Sequence, residues 1–255
     1  MMTLMEFQEQ SLKKAEQLLI RVKKDYDQMA ASFSKTREEP WSEFSFLKDY
    51  FKANDQVLDF GCGNARFYSF LKEIPVAYYG VDLSSQMLEE AKKRLPSNLA
   101  SHLSLIESQL KLPFEKESFE GVLALAVFHH IPSLNLRQQA LQEIRRVLKK
   151  NGYLILSVWD FYHGPNRALF LKNYCANFIK IIFRQPIEGI EIKDLFLPFK
   201  DAQGNILAQR FFHPFTSKEL KSLLVSAGFQ IKTLKLIPRG NTQKYFNLLV
   251  VAQKR

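Results

Sequence analysis

The segment V-L-D-F-G-C-G-N-A-R, Val57 to Arg66, constrains the fold more than any other part of the chain. A short apolar run ends in an acid, Asp59, then breaks into a loop with two glycines one residue apart, Gly61 and Gly63. Glycine has no Cβ and tolerates positive φ, so backbone N–H groups of such a loop can approach a ligand closely. A second strand-like run, Y-Y-G-V-D, ends at Asp82. That is about the twenty-residue spacing at which a βαβ nucleotide-binding unit keeps the acid for a ribose diol. The pattern points to an adenosine-type ligand. The plainer alternative is a strand-turn-helix whose glycines serve only the turn.

A dinucleotide site wants a third glycine three residues after the second, where helix and strand pack closely under a pyrophosphate. Arg66 occupies that position, a long cation where close packing leaves no room for a side chain.

The rest of the chain alternates. Strands are expected at Val57–Phe60, Tyr78–Asp82, Leu103–Ser108, Gly121–Val127 and Tyr153–Trp159. Helices are expected around Phe67–Lys72, at Ser85–Arg94 with Ser84 as cap, and at Arg137–Lys149, stopped by Asn151-Gly152. Such alternation predicts an α/β, doubly wound, Rossmann-like fold whose ligands lie beyond the carboxyl ends of parallel strands. The alternation then breaks: a helix over Phe215–Ala227, stopped by Gly228, precedes strands at Phe229–Ile237 and Tyr245–Ala252. Their connection is too short for a crossover helix, so they must pair antiparallel.

Upstream, Phe7–Met29 has helical periodicity, and a second short stretch follows it to Pro40. Residues 1–45 are expected to form an N-terminal helical cap segment and 46–255 the main domain. An insertion at 161–212 is too long for an ordinary loop. Phe170, Tyr174, Phe178 and Ile182 fall nearly on one helical face of it, expected to pack on the core rim. An insertion at this point also overhangs the ligand edge, where a lid belongs.

With 46% hydrophobic and 24% charged residues among 255, the chain has an ordinary globular composition. Cys62 and Cys175 form no spacing motif, which excludes a cysteine zinc site or disulfide framework and makes a reducing, cytoplasmic setting the expectation. No signal-peptide core or membrane-length apolar run is present, so no membrane partner is expected. The net charge of +10 invites a polyanion. Cations recur at Lys13-Lys14, Lys23-Lys24, Arg145-Arg146, Lys149-Lys150 and Lys232-Lys235-Arg239; each cluster alone also reads as a solvated face.

D-F-G-C-G-N followed by Asp82 resembles motifs I and II of the class I S-adenosylmethionine-dependent methyltransferases. That resemblance implies a mostly parallel seven-stranded sheet with an antiparallel C-terminal hairpin. Further segments occur in order: Y-D-Q-M-A-A-S-F-S-K-T-R-E-E-P-W, A-V-F-H-H, Q-E-I-R-R-V-L-K-K-N-G-Y-L-I-L-S-V-W, L-F-L-P-F and R-F-F-H-P-F-T-S-K-E-L. From about Tyr26 onward the chain resembles the tRNA wobble-uridine carboxymethyl methyltransferases, which methyl-esterify 5-carboxymethyluridine in the anticodon loop.

The resemblance implies S-adenosyl-L-methionine as cofactor and tRNA as substrate. It also implies a small zinc-binding activator subunit, as in eukaryotic relatives. Asp59, Gly61, Cys62, Gly63 and Asn64 would line the methionine end, Asp82 would hold the ribose hydroxyls, and Arg37 would reach the methionine carboxylate. Leu83, Ser108, Gln109 and Ala126 would complete the cofactor site. Arg210, His213 and His129 would form the catalytic set, with Arg210 clamping a substrate carboxylate and His130 beside them. The chain departs from the family pattern at Ser108, where an acid usually receives the adenine amine, and at Asp160, where alanine is more frequent.

Alternatives stay open on the residues. His129-His130 also reads as a structural strand-end pair, Phe211-Phe212 as core and Arg210 as a surface cation. Two adjacent histidines make no zinc site without further ligands. A methyltransferase of a small-molecule carboxylate or hydroxyl, or a cofactor-binding subunit without catalysis, fits the same motifs.

Overall fold

The computed structural model describes residues 4–108, 111–239 and 242–255. β1 (Gln56–Phe60), β2 (Ala77–Asp82), β3 (Leu103–Leu105), β4 (Phe119–Leu125) and β5 (Leu148–Trp159) run parallel, in the order β3-β2-β1-β4-β5. The insertion after β5 adds a separate two-stranded sheet, β6 (Leu195–Lys200) and β7 (Ile206–Phe212), paired antiparallel. β8 (Phe229–Arg239) and β9 (Thr242–Lys254) close the main sheet, β9 lying antiparallel against β5 with Trp159 opposite Asn247. The main sheet therefore has seven strands in the order β3-β2-β1-β4-β5-β9-β8. Strand order reverses between β1 and β4, and the crevice beyond their carboxyl ends is where an open α/β sheet binds ligands.

The helices are α1 (Leu4–Lys35), α2 (Ser85–Arg94), α3 (Ser97–Ala100), α4 (Leu134–Val147), α5 (Asn166–Ile182) and α6 (Ser217–Ser226). Caps define their starts: the hydroxyls of Ser84, Ser133 and Thr216 accept from the amides of Met87, Leu136 and Glu219. Central strands are buried on both faces, so β1 reads Val57-Leu58-Asp59-Phe60 without alternation. Among the described residues no helix is long and apolar enough to cross a membrane.

Several boundaries differ from the expected ones. Phe7–Met29 and the stretch after it form one helix, α1, which packs on α2 and β7. The turn after β1 is a 3-10 helix, Arg66–Phe70, entered through Ala65 at φ 54°. β3 ends at Leu105, short of Ser108. α4 begins three residues before Arg137 and gives way at Leu148 to a β5 longer than expected.

The insertion differs most. Phe170 alone of the four expected rim residues is buried; Tyr174, Phe178 and Ile182 of α5 face outward. The hairpin takes the rim position instead. Its Phe211 packs with Leu18 and Val22 of α1, and its Phe212 with Phe161, Phe170 and Leu195. Alternation along β7 sends Phe211 to one side and Arg210 and Phe212 to the other, toward the crevice. α5 is held at its edge by Asn177, whose amide donates to the carbonyls of Ile192 and Asp194.

Candidate active site

A cavity opens beyond the carboxyl ends of β1, β2 and β4, roofed by Val22, Tyr26 and Phe33 of α1. Gly61 and Gly63 sit at φ +71° and +54° on its floor. A Cβ on Gly61 would lie 2.3 Å from Cγ2 of Val127, so the loop can pass beneath Val127 only as glycine.

Asp82 is the hub of this end. Its Oδ2 accepts from the Gly63 amide and its Oδ1 from the Ser84 amide, both at 2.9 Å. Each oxygen keeps a second lone pair for a ligand hydroxyl. Burial pushes Asp82 up to about 6 against those two amide bonds. The hydroxyl of Ser84 in turn donates to Asp27 of α1 at 2.6 Å, tying the roof to this strand end. Leu83, Cys62, Asn64, Ala126 and Ile106 complete the wall. Burial raises the Cys62 thiol far above its usual range, so it is an apolar filler rather than a nucleophile.

At the other end stand His129, His130, Tyr26, Trp159 and two arginines, Arg37 and Arg210. The Trp159 amide donates to Nδ1 of His129 at 3.2 Å, so the neutral ring carries its proton on Nε2. Nε2 is buried and meets no hydrogen-bond partner among the described residues. His130 donates from Nδ1 to the Phe211 carbonyl at 2.6 Å and accepts at Nε2 from the Tyr26 hydroxyl at 2.7 Å. Burial pushes His130 down to about 3, and burial together with the neighbouring cations holds His129 well below its usual value.

Arg37 and Arg210 are two of four guanidiniums interleaved with aromatic rings in and around the cavity. Arg66 lies 4.3 Å from the centroid of Trp41, Arg239 3.9 Å from Trp159, Arg210 5.4 Å from Trp159 and from Phe199, and Arg37 4.4 Å from Phe33. Burial and mutual repulsion lower Arg37 to about 10 and Arg66 to about 9, and burial lowers Arg210; all stay charged at neutral pH. No carboxylate of the described residues lines this end, which makes it a receptor for anions.

The cavity thus gathers Arg37, Gly61, Cys62, Gly63, Asn64, Asp82, Leu83, Ala126, His129 and Arg210 from the set expected on sequence. Three expected residues lie elsewhere. Asp59 sits beneath the loop, where its carboxylate accepts from the Tyr78 hydroxyl at 2.8 Å and burial pushes it up to about 7. Ser108 lies past the short β3 and off the cavity wall, where Ile106 stands instead.

His213 is buried away from the site, between Asp194 at 2.9 Å on Nδ1 and Glu219 at 2.8 Å on Nε2. Burial pushes Glu219 up, but hydrogen bonds from His213 and Lys193 outweigh it and hold the carboxyl at about 2. Hydrogen-bonded through one nitrogen to Asp194 and through the other to Glu219, His213 is a strut joining the insertion to α6. Glu191, Asp194 and His213 lie close enough to hold a cation, but Glu191 is already paired with Arg137 and, at 3.8 Å, with Lys193, and Asp194 with His213. Gln109 lies outside the described residues. Tyr26, Trp41, Arg66 and Trp159 also line the site, outside the expected set, although Tyr26 and Trp41 bracket the segment that ends in E-E-P-W.

A family described as a methyltransferase domain matches residues 58–156. The tRNA (carboxymethyluridine(34)-5-O)-methyltransferase of Schizosaccharomyces pombe is 30% identical over 208 residues, 81% of this chain and 87% of that protein. The chain belongs to that methyltransferase family. A protein of the same name from Xenopus tropicalis is 29% identical over 153 residues, which are 59% of this chain but 23% of that larger protein. A Methanosarcina mazei methyltransferase shares the fold, with a TM-score of 0.65 and 24% identity over 85% of this chain and 98% of its own. So does the putative methyltransferase of a Haloferax volcanii complex with the Trm112 activator, at a TM-score of 0.59 and 16% identity over 89% of this chain and 96% of that chain.

The chain is an S-adenosylmethionine-dependent methyltransferase, and its residues fit that cofactor. The side-chain-free cradle at Gly61, the two open lone pairs of Asp82 and the buried cation Arg66 suit a loop-bound tail, a ribose diol and a carboxylate.

Proposed function

We propose that this chain methylates the carboxylate of a carboxymethyl group on a wobble uridine of tRNA. One observation carries this reading beyond the relatives' names: among the described residues, the acceptor end holds no group placed to remove a proton. His130 has both nitrogens engaged, and Nδ1 of His129 is taken by the Trp159 amide. Tyr26 is buried and raised above its usual value, and the remaining polar groups there are guanidiniums and the Trp159 indole N–H. A hydroxyl or amine nucleophile needs a base in such a site, whereas a carboxylate arrives ionised at neutral pH.

S-adenosylmethionine supplies an electrophilic methyl on a sulfonium, whose departure needs no acid. The protein's work is alignment and exclusion of water, and near-attack positioning can contribute several kcal/mol, up to about 7–11 in the best-oriented cases. Arg210 holds the acceptor carboxylate, its planar fork matching two oxygens. The Nε2–H of His129 donates to the same group or to the uracil carbonyl and fixes its orientation. Neither contact withdraws every lone pair, so one oxygen remains free to attack. Trp159 walls the site, with Phe212 stacked behind it.

The positive charge supports an RNA substrate, but not through every cation. Lys149 pairs with Glu120 at the amino end of β5, opposite the cavity, so it and Lys150 do not border the site. Lys23 and Arg37 do. A small activator subunit belongs to the same proposal, supported by the Haloferax volcanii complex. The test is transfer of labelled methyl into total tRNA followed by nucleoside analysis. Label in the methyl ester of carboxymethyluridine is expected; label in any other nucleoside, or only in small acids, overturns the reading.

A further inference from the structure

Three cations line the cavity wall in a row: Arg66, Arg37 and Arg210. Arg37 exerts the largest like-charge effect on Arg66, and Arg210 the largest on Arg37. On the reading above, two carboxylates must share these three guanidiniums, one from the cofactor tail and one from the acceptor. The family resemblance puts Arg37 on the cofactor carboxylate. The geometry points to a different division: Arg66 takes the cofactor's α-carboxylate, and Arg37 joins Arg210 on the acceptor carboxylate.

Arg66 opens the 3-10 turn directly after Gly63 and Asn64, so its side chain leaves the same backbone that cradles the amino-acid tail. It is 5% exposed and lines the cavity, and no described residue accepts from its Nη1. Its guanidinium packs against the rings of Trp41 at 4.3 Å and Phe67 at 4.8 Å, which restrains its direction before any ligand binds. A buried cation with an unused donor, held rigid beside the tail-binding loop, is a carboxylate receptor with little ordering left to do. Arg37 is placed otherwise. It lies over Phe33, donates from Nη1 to the Thr36 hydroxyl at 2.9 Å, and shares the Phe199 ring with Arg210 at 5.6 and 5.4 Å. The two form a pair at the acceptor end.

The Arg37 half rests on the proposed acceptor; the Arg66 half does not, and binding without acceptor tests it. Calorimetry compares S-adenosylmethionine with its decarboxylated analogue on the parent, Arg66→Gln, Arg66→Lys and Arg37→Gln. The parent should prefer the carboxylate-bearing ligand by about ten- to hundredfold, the value of one buried charge-assisted contact. Arg66→Gln should bind the decarboxylated analogue as the parent does while its preference collapses toward unity. Arg37→Gln should keep both the preference and the affinity, and lose single-turnover transfer to carboxymethyluridine tRNA. An undiminished preference in Arg66→Gln, or a lost one in Arg37→Gln, overturns the division. If Arg66→Gln binds neither ligand, Arg66→Lys decides: partial preference supports the proposal and full preference overturns it. A parent that binds as expected but transfers nothing to tRNA removes the acceptor reading and leaves the Arg66 result standing.

Discussion

The amide of Trp159 donates to Nδ1 of His129 at 3.2 Å, and this one bond decides what His129 can do. The strand-end backbone fixes the tautomer, leaving Nε2–H as a donor facing a cavity with no acceptor for it among the described residues. A histidine that reads as a general base in sequence is a hydrogen-bond donor in the fold.

The pH profile should reveal the difference. Single-turnover transfer at saturating cofactor is expected to be flat between pH 6.5 and 9, since His130 is held at about 3 and His129 well below its usual range. His129→Ala should lower the rate by about ten- to a hundredfold without adding a pH slope, as loss of one donor to a charged group implies. A rate that rises tenfold per pH unit through the neutral range would restore a titrating base.

Cofactor affinity should weaken in acid through Asp82. Burial holds the ligand-free carboxyl at about 6, and hydroxyls of a bound ribose favour its ionised form. Binding therefore expels a proton below that value, so affinity falls as pH drops through 6, by up to about tenfold per unit. Calorimetry at pH 5 and 7.5 measures this, and Asp82→Asn should bind weakly and equally at both.

Arg210→Ala should leave cofactor binding intact and reduce transfer by about ten- to a hundredfold, the worth of a charge-assisted contact of roughly 1.5–3 kcal/mol. Arg210→Lys should rescue only part, because a point ammonium cannot match two carboxylate oxygens in one plane. Rapid-quench measurement on carboxymethyluridine tRNA separates the three.

His213→Ala should be a stability variant. It leaves the buried Asp194 and the partly exposed Glu219 without their shared hydrogen-bond partner, a change worth about 1–3 kcal/mol. Urea unfolding should show the loss, while cofactor affinity of the folded fraction stays at the parental value. A variant of parental stability that fails only in transfer would return His213 to catalysis.

What was legible in the sequence was local. The glycine loop, Asp82 and the antiparallel last hairpin follow from spacing along the chain, and all stand where expected. The β6–β7 hairpin was hidden by Pro198, which reads as a breaker but is tolerated where a strand has a free edge. Asp59 and His213 stand outside the cavity because the fold gives them other partners: Tyr78 for the first, Asp194 and Glu219 for the second. Each is an ionisable side chain whose type suggests a ligand and whose actual contact only the fold supplies. Arg66 was noticed for the glycine it replaces, yet its role depends on Trp41, brought over it from the segment before β1.

The central claim is that this site accepts a nucleophile already ionised. The most direct measurement offers the chain three anticodon stem-loops, identical except for the wobble uridine: carboxymethyl, its carbamoylmethyl isostere, and unmodified. Transfer from labelled cofactor to the carboxymethyl form alone, as a methyl ester released by mild base, is the result predicted. Comparable transfer to the amide or the unmodified loop, or a base-stable product, would contradict it.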